Sequence, residues 1–378
     1  MGVELSVEAI KPADLGASER ALWQGFVQAS PELASPYFDF RYALAAGDIA
    51  PHSAVAVIHR QGRIEGFLPF QRRGSMIQPL AAPLTDYHGL IAAPDARIDL
   101  SAVVRALKAD TFSFTAMRSG IDAARSRTAL RHAMIADLSG GFDAYLARRA
   151  AVNADFLKDK RRRERALKRD HGPISLSFPE RDPAQVCDII ARKREQMRRT
   201  GQHDIFACGW TERLVRRLME EDEPDFGARL AVLRAGDTVV AAEIGLRAGG
   251  VYHLWFPVYD PAYARYSPGA LMTLETLRAL PSKGVHHVDF GLEGEAYKRD
   301  FADPGAVVFE GSIAGSAWVA ASARLIDQVA GKAPESFKAA RLRMRRRLDR
   351  IAACEPHPVD WLKGAVASLG AAAGRART

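Results

Sequence analysis

Residues 252–301 read YHLWFPVYDPAYARYSPGALMTLETLRALPSKGVHHVDFGLEGEAYKRDF. The beginning of this stretch is rich in aromatic and β-branched side chains, which predicts a strand. The Ser-Pro-Gly run at 267–269 predicts the start of a helix, because serine is a common cap and proline is preorganised for the first helical position. Leucines at helical spacing follow, and a proline and a glycine predict the end of that helix. A second strand at 286–290 and a polar turn complete the stretch.

The junction between the first strand and the helix predicts an anion site. The first amide groups of a helix have no partner within it, and the helix dipole places partial positive charge at the same end. Glycine at position 269 lets a ligand approach the backbone closely. We therefore expect an anionic ligand, such as a phosphate group, at this helix start.

The composition is that of a folded protein without a membrane span. The chain has 378 residues, of which 48% are hydrophobic and 26% are charged. That length is enough for two ordinary hydrophobic cores. No apolar run reaches the ~18 residues that a membrane span needs, and the first residues show no secretory signal. The three cysteines and ten histidines show no metal-ligand spacing. We therefore expect a cytoplasmic protein with no bound metal.

Two motifs within the opening stretch resemble those of a known family. They are YDPAYARYSPG at 259–269 and VDFGLEGEAYKRDF at 288–301, which stand in the order and spacing of the C-terminal core of GNAT-type acyltransferases. The resemblance is to the branch that includes the CelD-like cellulose-biosynthesis acetyltransferases and the FemAB-like peptidoglycan ligases. Weaker matches occur in LAAPLTDYHGLIAAPDA at 80–96 and in the basic segment near 158–172. Together they cover most of residues 50–315.

The resemblance implies an α/β fold of tandem GNAT-like domains with mixed central sheets. Predicted strands and helices are interspersed along the chain, as in an α/β sandwich. We expect a degenerate GNAT-like domain at 1–140, because it lacks an SPG-type turn for a donor. A second GNAT-like domain with the donor site follows at 141–320, and a basic helical tail at 321–378.

The resemblance also implies that acyl-CoA, in the simplest case acetyl-CoA, is the donor. Its pyrophosphate would meet the backbone amides of Gly269 and Ala270. Arg265 resembles the Arg or Gln that opens the family's R/Q-x-x-G-x-G/A loop, although Pro268 stands where that loop has its first glycine. The predicted donor-binding residues are Tyr259, Arg265, Ser267, Gly269 and Ala270.

A backbone amide would stabilise the oxyanion that forms on the acyl carbonyl during transfer. If the family's splayed strand is kept, this amide lies at 256–259. Pro257 has no amide to donate, and it would favour an interruption of strand pairing at that point.

The resemblance assigns the catalytic candidates as well. Lys298 and Phe301 match the Tyr-Lys-x-x-Phe setting in which the Fem-like ligases use a lysine to stabilise negative charge. Lys298 is therefore the first choice for stabilising the transition state. The other candidates, for proton handling, are Tyr297, Asp289 and, from the first domain, Asp86.

Each candidate has an ordinary structural alternative. Asp289 could cap a strand end or pair with Arg299, and Tyr297 could be a packing aromatic residue with a solvated hydroxyl. Asp86 stands on a loop, where turn formation is the usual role of aspartate. Glu243 and His253 fall in predicted strands, and we interpret them as hydrogen-bonded structural groups.

Basic residues are concentrated in two predicted helices, although the net charge of the whole chain is only +8. Segment 158–169 holds eight Lys and Arg residues against two acids. A helical wheel places six of them on one face, opposite Phe156 and Leu167: Lys158, Arg161, Arg162, Arg165, Lys168 and Arg169. A second basic helix covers 341–350. Such a face is either solvated surface or a contact for RNA, for the phosphates of CoA, or for another polyanion or a membrane surface.

Three functions remain open at this point. The first is an N-acyltransferase that moves an acyl group from acyl-CoA to an amine on a small molecule or glycan precursor, as in polysaccharide or cell-envelope biosynthesis. The second is a Fem-like transferase that uses aminoacyl-tRNA, which the basic helices favour. The third is a non-catalytic accessory protein of a polysaccharide system. The fold alone does not decide among them.

Overall fold

The computed structural model describes residues 5–120, 129–321 and 335–354. The chain divides into two compact units, each with its own set of strands and helices. The first unit takes residues 1–131, 197–214 and 308–378. The second unit takes residues 132–196 and 215–307.

The helices have the following bounds in chain order: α1 (Ala17–Ala29), α2 (Phe40–Ile49), α3 (Leu100–Ala106), α4 (Gly141–His171), α5 (Pro183–Arg199), α6 (Trp210–Met219), α7 (Pro268–Ala279), α8 (Lys298–Phe301) and α9 (Glu335–Cys354). α9 contains the second predicted basic helix, whereas 322–334 and 355–378 of the predicted tail lie outside the described residues. Of the described helices, none combines the length and the apolar character that crossing a membrane requires.

The strands have the following bounds: β1 (Leu5–Ile10), β2 (Ser53–Arg60), β3 (Arg63–Arg73), β4 (Met76–Pro79), β5 (His88–Gly89), β6 (Ile91–Ala92), β7 (Thr111–Ser119), β8 (Ala129–Asp137), β9 (Ile174–Glu180), β10 (Phe226–Ala235), β11 (Thr238–Ala248), β12 (Val251–Tyr259), β13 (His287–Leu292) and β14 (Asp303–Ala314).

In the first unit, neighbouring strands follow the order β1, β2, β3, β4, β7 and β14. Among the pairs in this order β4–β7 is parallel and the others are antiparallel, and the short strand β5 also pairs with β7 in parallel, so the sheet is mixed. Gln61 and Gly62 make the turn between β2 and β3 with positive φ angles of 53° and 74°, as a two-residue hairpin turn of this kind requires. Apolar residues of these strands pack against α3 to form the core of the unit, among them Ile58, Phe70 and Phe112.

In the second unit, the order is β9, β10, β11, β12, β13 and β8. Only the pair β12–β13 is parallel among the pairs described in this unit. Helix α7 connects these two strands and packs against β9 to β12. Its buried side chains include Leu271, Met272 and Leu277. The start of α7 is therefore held near the end of β12, which is the junction predicted to bind an anion.

Helix α4 consists of two halves, of which the second contains the predicted basic helix at 158–169. Asn153 interrupts it with non-helical φ and ψ angles of −150° and 78°. The Asn153 side chain accepts a hydrogen bond from the Phe156 amide at 3.1 Å and donates one to Asp300 at 2.9 Å. It acts as a cap for the residues that follow. The half of α4 with the basic segment thus begins as a helix of its own.

Candidate active site

Strands β12 and β13 pair over only a short distance. The parallel ladder joins Val251 to His287, Tyr252 to Val288 and His253 to Asp289. β12 then continues to Tyr259 without a further β13 partner in the described part of the chain. The two strands are thus open to each other beyond the His253–Asp289 pair, which gives room for a ligand next to polar side chains.

The irregular point in β12 lies at Trp255. Gly245 of β11 is opposite Leu254 and Ile244 is opposite Phe256, so Trp255 is an extra, bulged residue. Pro257 keeps its place opposite Glu243 of β11, whereas on the β13 side the described pairing has already ended at His253, so the expected interruption at Pro257 is found on that side. The Pro257 carbonyl oxygen accepts a hydrogen bond from Lys193 Nζ at 3.1 Å.

The connection from β12 to α7 is a tightly ordered loop. Asp260 accepts a hydrogen bond from the Ala262 amide at 2.9 Å and starts a short 3-10 helix, Pro261–Tyr266. Ser267 follows in the left-handed conformation, with φ 54° and ψ 51°, and α7 begins at Pro268. The expectation that Ser267 caps α7 with its side chain is wrong: its hydroxyl makes no capping bond. A cap residue normally has an extended backbone, and the left-handed one turns the hydroxyl elsewhere.

The structure brings the five predicted donor-binding residues together along this loop. The Tyr259 ring lies 3.6 Å from the position that a Cβ atom on Gly269 would take. Gly269 and Ala270 occupy the first turn of α7, where backbone amides have no partner within the helix. The side chain of Arg265 is 71% exposed and lies 3.6 Å from Asp170. With Ser267 between them, these groups form one surface at the helix start.

Two basic residues of α4 also contact this loop. Lys160 Nζ lies 3.4 Å from Ser267 Oγ, and Arg163 donates a hydrogen bond to the Arg265 carbonyl oxygen. Asp159 pairs with both cations, at 3.0 Å and 2.7 Å, and hydrogen bonds from Arg162 and Lys160 lower the pKa of its carboxyl. Sequence reasoning missed Lys160 and Arg163 as loop contacts, because it considered only the opposite face of the helix.

That opposite face is exposed. The six basic residues that the helical wheel groups together are all solvent-exposed, whereas Leu167 is buried and Phe156 is half-buried. Several of the six pair with acids on the same helix, as Arg162 does with Asp159 at 2.7 Å. The prediction of an exposed basic face is confirmed, and what it binds stays a prediction.

Lys298 is a buried cation at the mouth of the open β12–β13 pair. It is 8% exposed and donates a hydrogen bond to the Leu292 carbonyl oxygen at 2.8 Å. Its Nζ also lies 2.7 Å from Glu295 Oε2. A Cβ atom on Gly291 would stand 3.7 Å from Lys298 Nζ and 3.8 Å from His253 Cε1. Lys298 and His253 therefore flank the same glycine.

Asp289 and Tyr297 lie close to Lys298 in sequence but differ in exposure. Asp289 is buried, accepts a hydrogen bond from the Gly291 amide at 2.7 Å, and lies 3.5 Å from His253 Nδ1. Its carboxylate therefore caps the end of β13, which is one of the ordinary structural roles considered for it in the sequence analysis. Tyr297 is exposed and packs edge-on against Phe301. Loss of solvation at the hydroxyl, with nearby acidic charge, raises the pKa of Tyr297 to about 12.

Asp86 belongs to the first unit, so the second unit brings together three of the four predicted catalytic residues. It stands half-buried on the loop before β5. Its charge opposes the lowering of the His88 pKa, which burial brings to about 4. Its predicted catalytic role stays a prediction.

Glu243 is the polar group whose role sequence reasoning misjudged. It is 1% exposed, and its Oε1 has no hydrogen-bond partner among the described residues. It is therefore not the satisfied structural group that was expected. The Tyr252 hydroxyl faces the carboxyl but makes no well-aligned hydrogen bond. Burial raises the pKa of the Glu243 carboxyl to about 8, against the opposing charges of His253 and Lys193.

Lys193 reaches the same region from α5. Loss of solvation lowers the pKa of its ammonium group to about 8, against the charges of Glu295 and Glu243. Glu243 and Lys193 are thus an acid and a base that both titrate near neutral pH, which is the range that proton transfer in catalysis requires. A polar residue in the middle of the apolar strand TVVAAEIGLRA is the sequence signal that could have pointed to Glu243.

Residues 154–299 match the model of an acetyltransferase (GNAT) domain. The match contains the loop, α7 and Lys298. No curated protein matches the chain significantly. The predicted α/β fold class with mixed sheets is confirmed, and the GNAT match lies in residues 154–299. The described residues contain no group of three or more His, Cys, Asp or Glu residues that could hold a metal ion.

Solved structures that the chain resembles are distant in sequence. One is a tandem GNAT protein from the clavulanic acid biosynthesis pathway, with 12% identity over 83% of this chain and 99% of that chain and a TM-score of 0.49. Another is FemX, with 10% identity over 80% and 96% and a TM-score of 0.46. A third is L-PGS from Bacillus licheniformis, with 10% identity over 83% and 97% and a TM-score of 0.42. So distant a likeness says nothing about the activity of this chain.

Proposed function

We propose that this chain is an N-acyltransferase that moves an acyl group, in the simplest case acetyl, from acyl-CoA to an amine acceptor. The observation that supports it most is the start of α7 within the GNAT match. There the first-turn amides of Gly269 and Ala270 stand beside a loop that Lys160 and Arg163 contact. Amides at a helix start and adjacent cations together favour a diphosphate group.

The donor's thioester would then reach the open region between β12 and β13. The amine nitrogen attacks the carbonyl carbon, a C–N bond forms, and the carbonyl electrons move onto oxygen. A backbone amide at 256–259 and the Lys298 ammonium group would stabilise that oxyanion. The C–S bond then breaks, and the thiolate leaves and takes up a proton.

The proton that the amine loses needs an acceptor. Glu243 fits this role, because its Oε1 has no partner among the described residues and it stands opposite Pro257 in the ladder, within the proposed oxyanion segment. The transfer could proceed directly or through a water molecule. Asp289 would hold the His253 ring, and the Tyr297 hydroxyl, with its raised pKa, would remain a proton donor at neutral pH.

Donor binding is tested by calorimetry with acetyl-CoA and longer acyl-CoA thioesters. Gly269→Glu should abolish binding, since it places a bulky negative charge where the pyrophosphate would lie. Gly25→Glu is the matched control, because Gly25 is an exposed helical glycine of α1 with open space around it. If wild-type protein gives no heat and no thermal shift with millimolar CoA thioesters, the chain is not an acyl-CoA enzyme.

The role of Lys298 is tested by thiol release from acetyl-CoA in the presence of amino sugars, polyamines and amino acids. Lys298→Ala should lower turnover at least ~100-fold with donor affinity retained, since a cation aimed at an oxyanion acts mainly in the transition state. Arg299→Ala, the exposed neighbour, should leave turnover unchanged. Near-normal turnover in Lys298→Ala would assign Lys298 to a structural ion pair with Glu295.

A Fem-like transferase that uses aminoacyl-tRNA is the second candidate, and the exposed basic face of α4 favours it. If that face binds tRNA, affinity should fall by roughly one log unit per log unit of salt for each phosphate contacted. Changing Arg161, Arg162 and Arg165 together to glutamate should remove the binding. Absence of tRNA binding at ~50 mM salt, where such contacts are strong, would eliminate this candidate. If neither acyl-CoA nor tRNA binds, the third hypothesis, a non-catalytic accessory protein, would be favoured.

A further inference from the structure

Arg118 is a buried cation in the first unit, near the end of β7. It is 8% exposed. Its guanidinium group lies 5.0 Å from the centre of the Tyr87 ring. Tyr87 is itself fully buried and stands in the loop that leads into β5, which pairs with β7. The environment of Arg118 is thus largely aromatic, with little access to water.

The hydrogen bonds of Arg118 leave one edge of its guanidinium unused. Nη1 makes a long hydrogen bond of 3.4 Å to the Ala34 carbonyl oxygen. Nε is buried and has no partner among the described residues, and the described part of the chain gives Nη2 no acceptor either. No Asp or Glu of the described residues lies within ion-pair distance of Arg118. Ser35, the residue after Ala34, is also buried with an unpaired hydroxyl.

Two other arginines of this chain, one buried and one partly buried, have a carboxylate partner. In the second unit, the buried side chain of Arg149 pairs with Asp303. Within the first unit, Arg346 is held by both carboxylate oxygens of Glu310. A buried cation without such a partner costs folding free energy, because desolvation is not offset by an opposite charge. The unpaired Arg118 therefore costs folding free energy, and a bound anion would remove that cost.

We propose that the first unit binds an oxyanion group, a phosphate or a carboxylate, at the Nε and Nη2 edge of Arg118. This edge of a guanidinium presents two parallel donors, which match two oxygens of either group. The buried, unpaired Ser35 hydroxyl belongs to the residue that follows Ala34, the hydrogen-bond partner of Arg118. The site lies within the first unit alone, so it is additional to the donor site proposed at the start of α7.

Thermal unfolding of the full chain tests this site with two probes, inorganic phosphate and succinate, against sodium chloride at equal ionic strength. The Gly269→Glu variant is measured in parallel, so that an anion bound at α7 is not mistaken for one bound at Arg118. We expect a saturable rise in unfolding temperature in both proteins. A rise with phosphate alone assigns a phosphate group, and a rise with succinate alone assigns a carboxylate.

Three variants determine whether Arg118 is responsible. Arg118→Met should lose the rise and, without anion, unfold at the same or a higher temperature than wild type, since the unpaired buried charge is gone. Arg118→Lys keeps the charge but not the two-donor edge, so its anion midpoint should rise about tenfold. Arg60→Met, which removes an arginine paired with Glu65 at 2.8 Å, should keep the full response.

Three results would each overturn the proposal. The first is that neither anion raises the unfolding temperature of wild type. The second is that the response survives in Arg118→Met or is unchanged in Arg118→Lys. The third is that Arg118→Met unfolds far below wild type, which would make Arg118 a structural group held by Ala34 and Tyr87.

Discussion

Glu243 and Glu310 are both buried glutamates on strands, and they differ in what surrounds the carboxylate. Glu310 of β14, in the first unit, is 8% exposed and accepts hydrogen bonds from Arg346 Nε at 2.9 Å and 3.0 Å. Glu243 of β11, in the second unit, is 1% exposed and has an oxygen without a partner among the described residues. One carboxylate has its charge compensated, and the other does not.

This difference separates a group that serves stability from one that serves chemistry. The hydrogen bonds between Arg346 and Glu310 pair the carboxylate with a cation and raise the pKa of the arginine. Glu243 has no such partner, so burial raises its pKa to about 8 and leaves it able to take up or release a proton near neutral pH. Perturbed carboxyl groups of this kind concentrate at active sites, where a proton has to be exchanged.

The largest expected effect is on turnover. Glu243→Gln should lower it roughly a thousandfold, since the amide keeps the shape of the side chain but cannot accept a proton. Donor affinity should not change. Thiol-release kinetics and calorimetry measure the two quantities. The matched control is Glu310→Gln, which should leave turnover unaffected. Equal turnover in Glu243→Gln and wild type would mean that Glu243, like Glu310, has no role in catalysis.

The pH dependence of the free energy of unfolding tests the same difference between Glu243 and Glu310. The Glu243 carboxyl has its pKa raised in the folded state, from 4.5 to about 8. Wild type therefore loses stability as pH rises through this window, because the unfolded chain releases the proton first. Glu243→Gln has no such loss, so it should gain roughly 5 kcal/mol relative to wild type between the two ends of the window. Urea unfolding at several pH values measures it, and a constant difference would contradict the raised pKa.

Replacement of Glu310, the paired glutamate, is expected to change stability in the opposite direction. Glu310→Gln should lower the free energy of unfolding by about 2 kcal/mol, because it leaves the partly buried Arg346 without its counter-charge. Chemical denaturation at neutral pH measures this loss. A variant as stable as wild type would show that the Glu310–Arg346 pair contributes no net stability.

The smallest effect is expected for an exposed pair. Glu164 and Lys168 stand four residues apart on α4 and form a surface ion pair. Glu164→Gln should change the free energy of unfolding by only ~0.5 kcal/mol, since solvent screens such pairs. The same denaturation assay checks it, with high salt removing the difference. A loss as large as that of Glu310→Gln would mean that burial does not decide the strength of ion pairs in this chain.

Local patterns predicted much of the fold. The hairpin turns at Gln61–Gly62 and Gly236–Asp237, and helix α7 with its proline start, follow from the residues themselves. Strand β8 was not predicted, since its sequence ALRHAMIAD has no simple alternation. Its strand form depends on pairing with β13, which a local pattern does not contain. The same holds for the kink at Asn153, which depends on a contact with Asp300.

The candidate site was predictable where a motif carries it. The loop residues and Lys298 were found because the resemblance names their positions. Glu243 was misjudged because the missing hydrogen bond is a property of packing, and strand position alone favours a satisfied group. Lys160 and Arg163 were missed as loop contacts because a helical wheel shows which residues share a face but not what that face meets.

The chain leaves the first unit after residue 131 and returns to it at 197–214 and again from 308 onward. Each unit is therefore complete only when segments from distant parts of the polypeptide have met, which slows folding through the entropy of closing long loops. A fragment cut to the family match at 154–299 would lack β8, whose Asp137 pairs with His287 of β13. The stretch that matches the family model is thus smaller than the second unit, and a fragment designed to keep the β13 pairing has to include β8.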